Sequence, residues 1–159
     1  GYNYQKNKNL RSYVISRDKA ALLKIFDDNY FWLTTNPLLD RAHKTFELQL
    51  DNACPLEADD DSHILKTIVY HDKGITKGFV SYYIISPEKG RILYIAVDKK
   101  YRGKGYAEKL LTCAINKLEN EGIKTIELTT RIINRKAQNL YKKLQFYPKN
   151  SADELVIFE

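Results

Sequence analysis

The stretch that decides the fold reads Val97-Asp98-Lys99-Lys100-Tyr101-Arg102-Gly103-Lys104-Gly105-Tyr106-Ala107. Before it, residues 92–97 form an apolar run rich in strand formers, and after it apolar residues recur at helical spacing as far as Leu118. The sequence therefore predicts a strand that passes through two glycines directly into an amphipathic helix. Gly103 and Gly105 then lie at the N-terminus of that helix.

The start of a helix attracts anions, because its first backbone N–H groups have no partner within the helix and its dipole adds positive potential. Phosphate is the usual ligand of such a site. Glycine has no Cβ, so Gly103 and Gly105 can adopt a left-handed conformation or let a diphosphate approach the backbone closely. Four cations lie around these glycines: Lys99, Lys100, Arg102 and Lys104. We predict a phosphate-binding site here; the alternative is a surface turn with solvated lysines.

Two blocks of sequence carry a family resemblance. Residues 102–107 match the pattern Gln/Arg-x-x-Gly-x-Gly/Ala. Residues 134–146 contain an Asn, then an Ala, then Leu-Tyr, and end in Phe, with Gln145 where a Gly is expected. In this order the two blocks resemble the signature motifs of the GNAT superfamily of N-acetyltransferases, and the resemblance covers about residues 64–158. If the position of Gln145 needs a positive φ, we expect a strain of ~1 kcal/mol there.

The resemblance implies acetyl-CoA as cosubstrate and direct transfer of its acetyl group to a primary amine. It also implies a bulge near residues 95–97 that splays this strand from residues 123–129 and frees backbone groups for the pantetheine arm. Tyr141 is the implied general acid for the departing thiolate; packing on an apolar helix face is the alternative. The implied cofactor-binding residues are Ile95, Ala96, Val97, Arg102, Gly103, Lys104, Gly105, Tyr106, Ala107, Asn134 and Tyr141. Asn134 is equally suited to capping a helix.

The order of elements predicts a mixed α/β fold, in one domain over residues 1–159. We expect a central mixed sheet of about six to seven strands, an antiparallel meander followed by a splayed parallel pair, with about four flanking helices. The predicted strands are residues 10–15, 64–70, 78–85, 92–97, 123–129, 146–147 and 154–158. The predicted helices begin at Ser16, at Asn36-Pro37, at the glycines and near Ala137. Residues 56–62 are predicted as an acidic linker and residues 148–153 as a loop.

Composition limits the possible partners. The two cysteines, Cys54 and Cys113, have no spacing typical of metal ligands, so we expect no metal and a reducing compartment. No apolar run approaches the ~20 residues that cross a bilayer, so we expect a cytoplasmic protein without a membrane partner. The net charge of +6 would suit nucleic acid. The basic residues are dispersed through both motifs, however, and we do not expect a nucleic-acid-binding module. The sequence leaves monomer and homodimer open.

A base for the acceptor amine is not evident. Glu88 and His43 are candidates, and Tyr94 is a candidate substrate contact on the cofactor strand. Each has an ordinary structural role as well, and none is assigned. The acceptor stays open between a small molecule and a peptide or protein amine. Residues 30–32 form an aromatic cluster that would bind an amine or pack in the core, and the acidic run at 57–61 would attract a cation or face solvent. A sensor that binds acyl-CoA without catalysis is the alternative function.

Overall fold

The structure is a computed structural model that describes residues 8–33, 41–52, 55–57, 60–152 and 155–159. The described strands are β1 (Leu10–Ser12), β2 (Pro55–Glu57), β3 (Asp60–Ile64), β4 (Lys66–Asp72), β5 (Ile75–Ser86), β6 (Lys89–Val97), β7 (Thr125–Arg131), β8 (Pro148–Ala152) and β9 (Leu155–Phe158). The described helices are α1 (Ile15–Asp28), α2 (Tyr30–Leu33), α3 (Arg41–Asn52), α4 (Tyr106–Asn120) and α5 (Arg135–Lys143). A 3-10 turn at Lys99–Tyr101 precedes α4.

Seven of these strands form one sheet, in the order β1-β4-β5-β6-β7-β9-β8. Neighbouring strands are antiparallel except β6 and β7, which are parallel because α4 crosses between them. β2 and β3 pair with each other as a separate hairpin. The predicted fold class is confirmed: an antiparallel meander leads into one parallel pair, and the described residues contain five helices where we expected about four.

The meander follows from local turn chemistry. Lys73 and Gly74 connect β4 to β5 with φ values of 51° and 76°. Two positive φ values in a two-residue connection are typical of the hairpin turns that match the twist of paired strands. Pro87 and Glu88 connect β5 to β6. These turns place β6 in the middle of the sheet, with β7 as its other neighbour.

The sheet separates two apolar clusters. On one face α4 packs through Leu110, Leu111 and Leu118, all without solvent exposure. On the other face Phe26 of α1 and Phe46 of α3 stack with their ring centroids 4.4 Å apart. Burial of these apolar side chains holds the helices to the sheet. The strands that form the gap described below are thus supported on both faces.

The start of α1 differs from the prediction. Ser16 is not the N-cap, because α1 begins at Ile15. Asp18 is fully buried; it accepts a hydrogen bond from the Val14 N–H at 2.8 Å and two from the Arg11 guanidinium at 2.7 and 2.8 Å. Burial by itself would raise the pKa of Asp18, but these hydrogen bonds outweigh burial and the pKa is lowered. The carboxylate thus ties β1 to the start of α1.

Three further predictions of local structure were wrong. The linker at residues 56–62 contains strand residues of β2 and β3, and the loop at 148–153 contains β8. β8 pairs with β9 alone, and such an edge position tolerates a proline. Residues 146–147 are not a strand. The predicted helix start at Asn36-Pro37 lies outside the described residues.

Cys113 is buried in α4, whereas Cys54 lies outside the described residues. None of the helices in the described ranges is long and apolar enough to span a membrane. In the same ranges, no group of three or more His, Cys, Asp or Glu side chains is placed to hold a metal ion.

Candidate functional site

A cleft opens where β6 and β7 part. The two strands pair from Lys89 opposite Thr125 to Ile92 opposite Leu128, and the ladder stops there. Beyond this point lies a cleft of about 800 Å³. The predicted site residues that line it are Ile95, Ala96, Val97, Arg102, Gly103, Gly105, Tyr106, Ala107, Asn134 and Tyr141. Lys104 is the exception, since its side chain is exposed with the ammonium 5.8 Å from the Tyr101 ring.

A bulge accompanies this separation. Tyr82 of β5 lies opposite Ile92, but the next residue of β5, Ser81, lies opposite Tyr94, so Leu93 is an extra residue in β6. We predicted the bulge near residues 95–97, and the structure has it two residues earlier. Those residues continue the regular ladder with β5 and have no ladder partner in β7. Their β7-facing backbone groups therefore face the cleft.

The glycine loop, residues 102–105, has the conformation that an anion site needs. Gly103 has a φ of 77° and Gly105 a φ of 84°, and Gly105 is the N-cap of α4. The Lys109 N–H donates to the Gly105 carbonyl at 3.2 Å as the first bond of the helix. The preceding N–H groups of Tyr106 and Ala107 have no partner within the helix. These groups and the helix dipole create positive potential at one end of the cleft.

Asn29, at the end of α1, connects this loop to the rest of the site. Its side-chain oxygen accepts a hydrogen bond from Arg102 at 2.8 Å, and its side-chain nitrogen donates to the Ile25 carbonyl at 2.8 Å. Its backbone carbonyl accepts from the N–H groups of Trp32 and Leu33 in α2, at 2.9 and 3.1 Å. Asn29 is itself 8% exposed. One buried residue thus contacts the glycine loop and the short helix on the far side of the cleft.

Tyr141 lies on α5 and lines the cleft, although it is only 5% exposed. Its ring packs edge-on against Phe158, with the centroids 5.5 Å apart. Burial raises the pKa of Tyr141, so the hydroxyl stays protonated throughout the physiological range. The residue therefore packs in the core, lines the cleft and keeps its hydroxyl proton.

The second motif shapes the start and end of α5. The Asn134 side chain accepts a hydrogen bond from the Ala137 N–H at 3.2 Å and caps the helix, while the residue also lines the cleft. Gln145 follows the helix with a φ of 71°. That positive φ is the condition under which we expected strain, since glycine adopts it without a Cβ clash. The Phe146 N–H donates to the Tyr141 carbonyl at 2.9 Å. The turn thus forms although Gln145 stands where the motif has a glycine.

The other end of the cleft lies under α2, which packs against β6 and β7. Trp32 and Leu33 line the cleft there, opposite Thr129 and Thr130 of β7. Arg131, the last residue of β7, holds α2 in place. Its Nε donates to the Phe31 carbonyl at 2.7 Å, and its guanidinium lies 4.0 Å from the centre of the Phe31 ring. The aromatic cluster at residues 30–32 is therefore divided. Its first ring packs against Phe26, while the next two are each 42% exposed.

Two of the residues considered for the acceptor end, Glu88 and Tyr94, do not line the cleft. Glu88 is exposed in the β5–β6 turn and pairs with Lys124 at 3.3 Å, away from the cleft lining. Tyr94 packs between Phe26 and Phe46, and burial raises its pKa to about 12. His43 belongs to α3, but its side chain lies outside the described part of the chain, as do the side chains at 57–61.

Comparison with known proteins agrees with this arrangement. Residues 20–146 match the Acetyltransferase (GNAT) family, which confirms the resemblance of the two motifs. The ribosomal protein bS18-alanine N-acetyltransferase of Haemophilus ducreyi is 41% identical over 59 residues, which cover 37% of this chain and 41% of that protein. N-alpha-acetyltransferase 30 of Schizosaccharomyces pombe is 36% identical over 58 residues, covering 36% of this chain and 39% of that protein. The aligned part of the chain thus spans less than half the length of these relatives.

A solved structure of the PaiA N-acetyltransferase from Thermoplasma acidophilum, in complex with coenzyme A, has the same fold. Its TM-score with this chain is 0.70 at 15% sequence identity, with 94% of this chain and 95% of that chain covered.

Proposed function

Because this chain belongs to the GNAT family of acetyltransferases, we propose that it is an enzyme that transfers the acetyl group of acetyl-CoA to a primary amine. One observation carries the proposal: the N-terminus of α4, with left-handed Gly103 and Gly105, opens into the gap between β6 and β7. The residues present fit the cosubstrate. A cleft of about 800 Å³ has an anion site at one end and backbone groups without ladder partners along one wall.

In this proposal each part of the chain has a separate task. The N–H groups at the start of α4, together with Arg102, hold the diphosphate. The backbone of residues 95–97 pairs with the amide groups of the pantetheine arm. Bound acetyl-CoA supplies the activated acetyl group as a thioester. Alignment of the thioester with the amine replaces a bimolecular encounter, and it lowers the barrier by ~7 kcal/mol or more when the geometry is good.

Tyr141 is the proposed general acid. The amine nitrogen forms a bond to the acetyl carbon, the carbon–sulfur bond breaks, and the Tyr141 hydroxyl gives its proton to the departing thiolate. The raised pKa of the phenol makes this transfer less favourable to a thiol of pKa ~8.5 in water, but burial in the cleft raises the thiol pKa too. Solvent then returns a proton to the phenol, and the proton lost by the amine passes to water.

We further propose an α-amino group as the acceptor. Among the described residues at the α2 end of the cleft, none is a carboxylate or a histidine, and in this proposal the amine loses its proton to water. At pH 7.5 the neutral fraction of an α-amine of pKa ~7.8 is about 270-fold larger than that of a lysine side chain of pKa ~10.4. The names of the Haemophilus and fission-yeast relatives, which refer to an alanine and to N-alpha acetylation, support this choice.

The test is acetyl transfer to a panel of amines. Peptides with a free α-amine, peptides with only a lysine amine, and a polyamine are each incubated with acetyl-CoA, and release of the CoA thiol and acetylation of the peptide are measured. We expect release with the α-amines and at least about tenfold less with the others. Failure of CoA to bind, measured by calorimetry, would overturn the proposal. Binding of CoA without transfer to any amine would instead favour the alternative function, a sensor that binds acyl-CoA without catalysis. That alternative is also favoured because no base for the amine is found among the described residues at the α2 end of the cleft.

A further inference from the structure

A second cavity, of about 310 Å³, lies beside the cleft under α2. The residues common to both cavities are Trp32, Leu33, Ile92, Leu93, Thr129 and Thr130. Four of them belong to β6 and β7 at the point where these strands part, and the other two belong to α2 above it. A group bound in the second cavity would therefore extend from the same point at which the reacting amine must meet the thioester.

The walls of this cavity are largely apolar. Leu155 and Ile157 of β9 line it and are half-buried, whereas Val156 and Phe158 point to the opposite face of the sheet and pack with α4. Trp32 lines it from α2 with 42% of its surface exposed. An apolar group placed between α2 and β9 would remove these surfaces from water, which is favourable in proportion to the area buried.

Two arginines are the charged side chains among the described residues that line the cavity. Arg91 donates hydrogen bonds to Glu127 and, at 2.7 Å, to the Tyr83 hydroxyl. Arg131 is 4% exposed and held against Phe31. Glu127 offsets the charge of Arg91, but a lysine or arginine side chain of an acceptor would still be repelled by Arg131. No carboxylate among the described lining residues would receive it.

We propose that the second cavity is the side-chain subsite of the acceptor, and that it selects an apolar side chain on the carbon that bears the reacting amine. This inference rests on the proposed function, because it takes the cleft between β6 and β7 as the place of acetyl transfer. A volume of about 310 Å³ is at the lower limit of ordinary ligand pockets. It has room for one large side chain.

The test measures peptide affinity on protein saturated with CoA, by calorimetry, so that it does not depend on turnover. The probes are peptide amides that differ in their first residue alone: glycine, leucine, phenylalanine or lysine. We expect the leucine and phenylalanine peptides to bind about tenfold or more tightly than the glycine peptide, and the lysine peptide to bind no better than glycine. Acetyl transfer to the same four peptides is measured in parallel.

Two matched substitutions locate the effect. Ile157→Ala shortens a half-buried side chain that lines the cavity, and Ile126→Ala makes the same change at a half-buried position that lines neither cavity. We expect the first to reduce the preference for leucine over glycine about threefold to tenfold and the second to leave it unchanged. Leu155→Ala gives a second reading if Ile157→Ala fails to fold.

Each outcome has a definite meaning. Equal affinity for the glycine and leucine peptides, a preference for lysine, or equal effects of the two isoleucine variants would overturn the subsite. Selective binding without release of the CoA thiol would keep the subsite and remove the proposed transferase activity. Transfer to all four peptides at equal rates and with equal affinities would keep the proposed transferase activity and remove the subsite.

Discussion

The substitution Gly105→Glu tests whether the N-terminus of α4 binds the diphosphate. Gly105 has a φ of 84°, and a Cβ built on it meets no atom within 4 Å. The folding cost is therefore the left-handed strain alone, about 1–2 kcal/mol. Gly74, in the β4–β5 turn, has a φ of 76° and equally open surroundings. Gly74→Glu thus repeats the strain and the charge at a position that lines neither cavity.

The expected loss of affinity follows from the charge. Two unit charges ~6 Å apart interact by ~0.7 kcal/mol in bulk water and by ~3 kcal/mol at the effective dielectric of a protein surface. The glycine loop is exposed on one side, so we expect a repulsion of ~2 kcal/mol, which corresponds to a loss of CoA affinity of about 30-fold. Gly105→Gln has nearly the same shape without the charge, and we expect it to lose no more than about threefold.

Calorimetry with CoA at low and high salt gives the result. The difference in CoA affinity between the Gly105→Glu and Gly105→Gln variants should become smaller as salt is added, because salt screens exposed charges. Wild-type affinity in Gly74→Glu excludes a general effect of an added carboxylate. If the two variants at position 105 bind CoA equally well at low salt, the diphosphate does not lie at the start of α4 and the assignment fails.

Three further changes give distinct readings. Tyr141→Phe should lower kcat by about 100-fold with little change in CoA affinity. Tyr82→Phe, at an equally buried tyrosine outside the cleft, should leave kcat unchanged. If the two variants have equal kcat values, Tyr141 is not the general acid. Asp18→Asn should flatten the dependence of urea stability on pH. Since folding lowers the pKa of this carboxyl, its ion pair stabilises the fold above the unfolded pKa of ~3.9, and that stabilisation is lost as pH falls through the folded pKa; an unchanged slope between pH 2 and 6 would contradict this. Asn29→Ala should weaken CoA binding about fivefold to tenfold, because it removes the hydrogen bond to Arg102. Wild-type affinity in calorimetry would show that Asn29 does not position the glycine loop for CoA.

The sequence predicted the glycine loop and the meander because their signals are local. Positive φ values at Gly103 and Gly105, and the helical spacing that follows them, depend on residues within one or two turns of each other. The same holds for the turn at Lys73-Gly74. The loop predicted at 148–153 failed for the opposite reason. Its residues favour turns, but pairing with β9 at the sheet edge overrides a weak local preference.

The contacts that complete the site were not predictable, because they join distant parts of the chain. Asn29 and Arg102 are 73 positions apart, and Phe31 and Arg131 are 100 apart. No spacing rule relates such pairs, because only the tertiary fold brings α1 to the glycine loop and α2 to β7. The aromatic cluster at residues 30–32 was the available signal for the acceptor end. It could not indicate which ring packs inward and which faces the cavities.

The bulge at Leu93 explains how the sheet forms a cleft without losing its core. Ile92 packs on the α4 face and Tyr94 on the face of α1 and α3, although residues two apart in a regular strand share a face. The extra residue therefore shifts the alternation by one, and Ile95 returns to the α4 face. The later residues of β6 stay in a regular ladder with β5, so their side chains would point to the same faces if Leu93 were absent. Packing of the core therefore does not require this residue. The extra residue lies directly after the last pair of the ladder with β7, and a bulge generally bends the strand that carries it. The gap that would receive the thioester thus begins beside one inserted residue, which single-sequence periodicity does not reveal.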